Sequence, residues 1–325
     1  MKEFLLFIFG FLWLNFTIAQ DFYFTDFHSS FSRINPATTS IDNKRELSTH
    51  YRKNGYQTVG VSRHSIFLLN YEQRFNLNKN HAFGFSGNSL VSSFRDLPNP
   101  FKELGGTIAY HLTPVKNYKS LRLQLSAGYN FGLGRHLFIN ERLGTFLGEE
   151  RFTVATRGQP IQQLTNWFDS GFGFYTSFQY RKRNKLEFGG GFNHFNEPAV
   201  TIDKSQNLRR VAYRSIGVNF AVARSWDLNF HHFYAYQANL EIYYYRLGMR
   251  YQIIENKPYF MDCGIIMRTD DLVSFHPSFF LDTDLVGFSM GIILKKFRVS
   301  LTFETVGSEF SNSNSEISVS YFIRN

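Results

Sequence analysis

Residue types that could support catalysis or metal binding are scattered through this chain of 325 residues. The adjacent His231 and His232 would point to opposite faces of a β-strand, so their imidazoles are not placed to chelate one metal. Acidic pairs fall at predicted strand ends or loops, where solvated turns are far commoner than catalytic carboxylates. These pairs are Glu149 with Glu150, Asp270 with Asp271, and Asp282 with Asp284. The sequence also lacks a nucleophile elbow. We therefore predict that the protein is not an enzyme and has no metal or cofactor.

The elements that carry these residues are predicted to be long, two-faced β-strands. Between Leu121 and Gly134 the chain alternates without error between apolar residues and polar or small ones. Only a strand places two such sets on opposite faces. The apolar set is Leu121, Leu123, Leu125, Ala127, Tyr129, Phe131 and Leu133. A strand of this length exceeds the usual strand of a soluble sheet, and the pattern is typical of a transmembrane β-barrel.

Similar alternation recurs along the chain. From Tyr243 to Ile253 the odd positions are apolar or aromatic, whereas Arg246 and Arg250 fall on the other face. Further alternating segments cover residues 172–181, 215–222, 297–304 and 317–323. The pattern marks fifteen candidate strands, among them 103–113 and 272–281. Fifteen is an odd number, whereas single-chain bacterial barrels normally have an even one. We therefore predict an all-β fold, a transmembrane antiparallel β-barrel of about 14 strands.

Composition agrees with a barrel. Aromatic residues make up 18% of the chain, with 38 Phe and 18 Tyr, and such residues form the girdles of a barrel at the membrane interfaces. Mean hydropathy is −0.26, and no apolar run reaches about 18 residues, which argues against helical membrane spans. The net charge of +9 is spread over strands and turns, and its one dense cluster, residues 181–185, reads as a solvated turn. We therefore predict no nucleic-acid partner.

The first residues have the features of an export signal. Lys2 precedes an apolar stretch from Phe4 to Leu14, and small residues before Gln20 suit a signal peptidase. We predict a signal peptide over 1–19, an N-terminal periplasmic segment over 20–44, and an outer-membrane barrel over 45–325. With a periplasmic N-terminus, strand counting places the connections 140–166 and 197–207 outside the cell. Cys263 is the only cysteine, so no internal disulfide can form.

Two groups of residues near the predicted mature N-terminus form a recognisable pattern. Gln20 and Asp21 begin an aromatic and polar run, and Asn35, Pro36 and Ala37 follow as an Asn-Pro-Ala turn. This arrangement resembles the start of the PorP/SprF family of the type IX secretion system, whose mature chains begin near Gln-Asp-Pro and continue to such a turn. Two departures from the family pattern, at Phe22 and after Ala37, mark a divergent member. Asn-Pro is also a common turn signal, which predicts a local structural role.

Later segments extend the resemblance. Asp169 and Gly171 lie in a stretch similar to the family's Phe-Asp-x-Gly-x-Gly motif, and residues 189–198 resemble its glycine-rich strand, which ends in a His-x-x-x-Pro sequence at His194 and Pro198. Residues 248–251 and 316–321 are similar to its late strands. The glycines at 189–191 precede strand-like residues rather than a helix N-terminus, which argues against a phosphate loop. We predict that they relieve crowding on the inner face or bend the wall.

The resemblance implies a barrel that assists export or surface attachment of a secreted cargo protein such as an adhesin. Its partners would be that cargo, type IX secretion components and outer-membrane lipid. Arg246 and Arg250 are conjectural cargo contacts, and a salt-bridge network in the lumen is the reading that we favour for them. The competing function is an outer-membrane porin or transporter for small solutes, for which a polar lumen suffices. A third hypothesis is a purely structural component of the secretion machine or its envelope anchor.

Overall fold

In the computed structural model the chain forms a closed antiparallel β-barrel. The structure describes residues 31–42, 45–54, 64–94, 101–118, 120–139, 162–181, 183–198, 209–237, 240–254, 258–272, 285–306 and 309–323. Over these ranges fourteen strands pair with their neighbours in chain order, and β1 pairs with β14 to close the barrel. The predicted fold class and strand number are confirmed.

The strands follow a helical turn, α1 (Phe31–Ile34), and a 3₁₀ turn (Pro36–Thr38). In chain order they are β1 (Arg45–Asn54), β2 (His64–Asn76), β3 (His81–Phe94), β4 (Phe101–Tyr118), β5 (Leu121–Ile139), β6 (Gln162–Tyr180), β7 (Asn184–Asn193), β8 (Val211–Ala223), β9 (Trp226–Gln237), β10 (Leu240–Gln252), β11 (Phe260–Leu272), β12 (Leu285–Ile293), β13 (Phe297–Val306) and β14 (Glu309–Ile323). Among the described residues, neither helical turn nor any other helix is long and apolar enough to cross a membrane.

Alternation along each strand decides which side chains face out. On β5, Leu125, Tyr129 and Leu133 are exposed, whereas Gln124 and Ser126 on the other parity are buried. The same alternation of exposed and buried side chains holds on the other strands, so the exterior is apolar, as a barrel in lipid requires. The lumen is mostly polar, apart from inward apolar clusters on β2 and β3 and on β8 to β11. Outward aromatic rings also pair at the interface, as in Trp226 and Tyr251, whose ring centroids lie 4.6 Å apart. The expected two-faced pattern is therefore confirmed.

The two ends of the barrel differ in their connections. At one end, which we call the short-turn end, lie the connections 77–80, 119–120, 181–183, 224–225, 253–259 and 294–296, together with the start of β1 and the end of β14. The other end, the long-loop end, carries the four longest connections, 55–63, 140–161, 194–210 and 273–284, together with 95–100, 238–239 and 307–308. Outer-membrane barrels have short periplasmic turns and longer extracellular loops. Residues 140–161 themselves lie outside the described residues.

Strand boundaries differ from the sequence prediction at several strands. β6 begins at Gln162, inside the predicted connection 140–166, and β14 begins at Glu309. The alternation predicts that the fourth strand ends near residue 113, but β4 continues to Tyr118 because register shifts on both sides of Val115 accommodate Pro114. The candidate strand at 272–281 falls almost wholly on residues 273–284, which lie outside the described residues, and the closed barrel is complete without it.

The N-terminal segment also differs in position. The sequence analysis expects residues 20–44 to form a periplasmic segment, but residues 31–42 lie inside the barrel, packed against β4, β5 and β6. Asn35, Ala37 and Thr39 are fully buried there. A turn signal predicts local backbone geometry and not which strands the turn will contact, so the position of this segment could not be predicted from the sequence.

Candidate functional site

Residues 31–42 form a plug across the lumen, and we refer to them as the plug segment. Asn35 organises this segment because its side-chain oxygen accepts a hydrogen bond from the amide of Ala37 at 3.1 Å and so caps the 3₁₀ turn. Pro36 occupies the first position of the turn, where a missing N–H costs nothing. The Asn35 amide group also donates to the carbonyl of Phe174 on β6 at 3.0 Å. One side chain therefore both shapes the turn and attaches it to the wall.

Other wall side chains bond the plug backbone along its length. Asn193 of β7 donates to the carbonyl of Ile34 at 3.2 Å, and His111 of β4 donates through Nε2 to the carbonyl of Thr39 at 2.9 Å. Towards the end of the plug, Arg74 donates to the carbonyl of Ile41 at 2.9 Å. Buried carbonyls of this kind need partners, because each one left unpaired in the lumen would cost about 1–3 kcal/mol.

Charged groups bond the plug at its two ends. Arg33 pairs with Glu103 of β4 at 3.1 Å, and both side chains are largely buried. The amide of Ser40 donates to a carboxylate oxygen of Glu72 on β2 at 2.6 Å. The plug is thus held from β2, β4, β6 and β7, which lie on one half of the barrel wall.

Glycines in the wall make room for the plug backbone. A Cβ at Gly128 of β5 would overlap the carbonyl group of Pro36 and the amide nitrogen of Ala37. At Gly173 it would overlap the Asn35 side chain, and at Gly84 the carbonyl of Thr39. A Cβ added at Gly189 would lie 2.7 Å from the side-chain nitrogen of Asn35. The prediction that the glycine-rich strand relieves crowding on the inner face is confirmed at this position.

The other half of the lumen offers the plug an apolar pocket. Ile34 is buried in a cluster formed by inward side chains near the long-loop end of four strands, namely Val211, Tyr213, Phe233, Ala235, Ile242, Tyr244 and Ile266. Burial of one isoleucine side chain stabilises such an arrangement by about 1.5–3 kcal/mol. The plug is therefore anchored by polar bonds on one side of the lumen and by an apolar contact on the other.

The plug separates two cavities. The larger, of about 310 Å³, lies towards the short-turn end and is lined by charged and polar side chains, including Glu72, Lys185, Arg250 and Arg298. The smaller, of about 40 Å³, is lined by Arg33, Ile34 and wall residues that lie towards the long-loop end. No residue lines both of these cavities, although the plug contributes to each. Along the described part of the chain the plug segment therefore lies between these two cavities.

Asp169 and Gly171 lie in β6 beside the end of β7, where His194 begins the turn that reaches Pro198. Nδ1 of His194 lies 2.7 Å from a carboxylate oxygen of Asp169, and both side chains are mostly buried. His194 has a φ of 52°, an uncommon conformation that its bond to Asp169 stabilises. Gly171 admits the neighbouring Asn193 and Asn130, because an added Cβ would overlap both side chains or lie within 3 Å of them. The buried Pro198 ends the turn.

Arg246 and Arg250 both face the lumen from β10, but away from the plug's polar anchors. Arg246 is buried, pairs with Asp262 of β11, and donates to the side-chain oxygen of Asn229 at 2.6 Å. Nε of Arg250 lies 3.4 Å from the second carboxylate oxygen of Asp262. This is the geometry of a lumen salt-bridge network. His231 faces the same lumen while His232 faces out and stacks on Tyr245 at 4.7 Å, so the two histidines do point apart.

The structure brings together the N-terminal and central motifs that the sequence separates. Asn193 connects them, since it bonds Ile34 next to the Asn-Pro-Ala turn and lies beside Asn130 and Gly171. Gln20 and Asp21 lie outside the described residues. Sequence reasoning missed the wall residues that receive the plug, such as Gly128 and His111. His111 has no sequence signal beyond inward parity on a strand, which every lumen residue shares, whereas Gly128 is also an inward glycine within a strand.

Comparison with known proteins identifies the family. The family described as type IX secretion system membrane protein PorP/SprF matches residues 16–321. The chain belongs to the PorP/SprF family. As a PorP/SprF protein with this barrel, it is an outer-membrane protein of the type IX secretion system. A search of curated proteins finds no match to it.

Solved structures show the same architecture in other outer-membrane proteins. This PorP/SprF barrel is similar to the CymD monoaromatic hydrocarbon channel, with a TM-score of 0.50 and 11% identity over 91% of this chain and 93% of that one. It is also similar to a FadL homologue of Pseudomonas aeruginosa, with a TM-score of 0.51 and 11% identity over 90% of this chain and 94% of that one. At such low identity the likeness shows the fold alone.

Proposed function

We propose that this PorP/SprF barrel assists the export or surface attachment of a secreted cargo protein, and that it does so by docking the cargo rather than by conducting it. Family membership supports a role in type IX secretion. The observation that carries the docking role is the plug segment, because it occupies the lumen between the two cavities. A polypeptide in transit would have to displace it. The cargo is therefore expected to bind at the ends of the barrel.

The long-loop end is the better candidate for cargo contact. Its connections are the longest in the barrel, and binding residues concentrate on loops that a rigid scaffold positions. The turn from His194 to Pro198 is held on β6 by the carboxylate of Asp169, so it is a fixed part of this surface. Arg246 and Arg250 are committed to Asp262 inside the wall, which supports a structural role for them rather than cargo contact.

Deletion of the gene, followed by comparison of the secretome and the surface proteome with those of the parent strain, tests the proposal. One cargo or a small set is expected to disappear from the surface and to return when the gene is restored in trans. Loss of export would remove the cargo from the medium as well, whereas loss of attachment alone would release it into the medium. Undiminished export and attachment of every type IX cargo would reject a cargo role. Simultaneous loss of all cargoes would instead support a structural component of the secretion machine.

A solute channel is the second candidate, and the cavity of about 310 Å³ at the short-turn end favours it, because its size and polar lining suit a small molecule. Single-channel recording on the purified barrel in planar bilayers separates the two functions. Docking predicts a closed barrel with rare openings. A steady conductance in the wild-type protein would favour the solute channel and contradict a lumen sealed by residues 31–42.

A further inference from the structure

Two positively charged side chains face outward side by side near the long-loop end. Lys102 of β4 and Arg135 of β5 are direct partners in the antiparallel register. Both side chains are exposed. Like charges directly opposite on neighbouring strands are destabilising. An anion bound between the two side chains would offset this repulsion.

Protein groups do not supply that anion among the described residues. Neither Lys102 nor Arg135 has an ion-pair or hydrogen-bond partner there. Glu103, the nearest acid in sequence, points into the lumen and is paired with Arg33. The described outward side chains beside the pair at this end of β3 and β6 are Val91 and Asn166, which are uncharged. No described acidic group therefore balances the two cations, and their exposed side chains can reach an external ligand.

The height of the pair on the wall identifies the kind of ligand. The outward column of β5 is apolar from Leu121 to Leu133 and rises about 40 Å along the strand. A tilt of about 40° reduces this rise to about 30 Å, the thickness of a hydrocarbon core. Arg135 is the next outward residue after Leu133. Leu104 lies below Lys102 in the same way and is 64% exposed.

From this placement we propose that Lys102 and Arg135 bind a phosphate group of a phosphorylated glycolipid in the outer leaflet. The long-loop end is the extracellular end by the general rule for such barrels, and the pair sits where acyl chains give way to headgroups. The leucines below contact the acyl chains, while a lysine ammonium and an arginine guanidinium complement one phosphate from two strands. The contact is independent of cargo binding and of the state of the plug.

Titration of the purified, detergent-solubilised protein with phosphorylated lipid A, followed by native mass spectrometry, tests the site. The double variant K102Q/R135Q is expected to bind lipid A about ten- to thirtyfold more weakly, since each basic side chain near an anionic surface contributes about 1 kcal/mol, or about fivefold. Lipid A from which the phosphates have been removed should bind both proteins equally weakly. Inorganic phosphate at millimolar concentration should not displace the lipid, because it lacks the acyl contacts.

Matched controls keep the result specific. K295Q/K296Q removes the same charge from an exposed turn at the short-turn end and should bind lipid A like the wild type. The exchanged variant K102R/R135K retains both charges and should also keep affinity. Equal lipid A binding by the wild type and K102Q/R135Q would overturn the proposal. So would an equal loss in K295Q/K296Q, which would indicate non-specific attraction by net charge, or displacement by inorganic phosphate, which would indicate a free-anion site.

Discussion

A side chain at Gly128 should expel the plug from the barrel. Gly128 lies in the middle of β5 and faces the lumen, where an added Cβ would overlap the carbonyl group of Pro36 and the amide of Ala37. Backbone atoms cannot rotate away as the end of a flexible side chain can. Gly128→Val therefore leaves two outcomes, a shifted wall or a displaced plug. The wall is continuous hydrogen-bonded sheet on both sides of Gly128, whereas the plug is held by separate side-chain bonds.

The energy involved is small enough for one substitution to decide the equilibrium. Each neutral bond between plug and wall contributes about 0.5–1.5 kcal/mol net, and ordering each plug residue costs about 1–2 kcal/mol of backbone entropy. The balance between the seated and displaced plug is therefore modest. An overpacked contact costs about 3 kcal/mol, which shifts that balance about a hundredfold towards the displaced state.

Cysteine labelling and conductance measure the displacement together. Thr39 is fully buried in the plug, and its hydroxyl has no hydrogen-bond partner in the described structure, so Thr39→Cys is a mild probe in a Cys263→Ser background. A membrane-impermeant maleimide should label this cysteine slowly in the wild-type wall and quickly when Gly128→Val is added. Planar-bilayer recording on the same variant should show solute-sized conductance that the wild type lacks.

Gly87 of β3 provides the control, because a Cβ added there would have no atom within 4 Å. Gly87→Val should fold, stay closed and leave residue 39 protected. Heat-modifiability on gels checks that each barrel is folded before labelling. A folded Gly128→Val barrel that labels and conducts like Gly87→Val would refute the steric reasoning and the seal that the plug is thought to make.

Three further substitutions test separate parts of the structure. Asn35→Ala removes both the cap of the 3₁₀ turn and the hydrogen bond to the carbonyl of Phe174. A cysteine at residue 39 should then react with maleimide about tenfold faster or more. An unchanged labelling rate would mean that Asn35 does not anchor the plug. Arg52→Ala leaves Glu304 buried without its 3.1 Å ion pair, close to where β1 and β14 close the barrel. The free energy of unfolding in urea should fall by about 3–5 kcal/mol. A decrease below about 1 kcal/mol would mean that this pair behaves like a surface salt bridge. Asp169→Ala should release the turn that His194 begins and increase its hydrogen exchange, with β1 as an internal reference that stays protected.

The strands of the barrel wall could be predicted from the sequence, whereas the plug segment inside the lumen could not. A period of two on Tyr243 to Ile253 decides the face of every side chain in β10, so Arg246 and Arg250 were placed in the lumen correctly. Strand register follows from short turns and from the burial of one face. The length of β4 was missed because Pro114 reads as a strand end, although a bulge can accommodate it.

The plug was missed because its contacts join residues far apart in the chain. Asn35 and Phe174 bond across 139 positions, and Ile34 and Asn193 across 159. Alternation predicts which face of a strand a residue occupies, but it does not predict which segment of the chain lies across the lumen. The inward glycines of β5 and β6 gave the nearest signal, because glycine weakens a strand unless another backbone approaches closely. Recognising that the approaching backbone is the Asn-Pro-Ala turn required the barrel to be closed first.

This geometry gives the motifs of the chain a common explanation. The Asn-Pro-Ala turn and the glycines at 128 and 173 are complementary surfaces, since the turn fits only where the wall lacks side chains. Asn193 and the Asp169–His194 pair belong to the strand ends that hold this arrangement from the long-loop side. Motif residues of this kind hold the plug in the lumen and fix the turn that follows β7. If that is correct, a related barrel with a larger residue at the position of Gly128 should have lost the Asn-Pro-Ala turn as well, and one that retains the turn beside a large side chain would contradict the coupling.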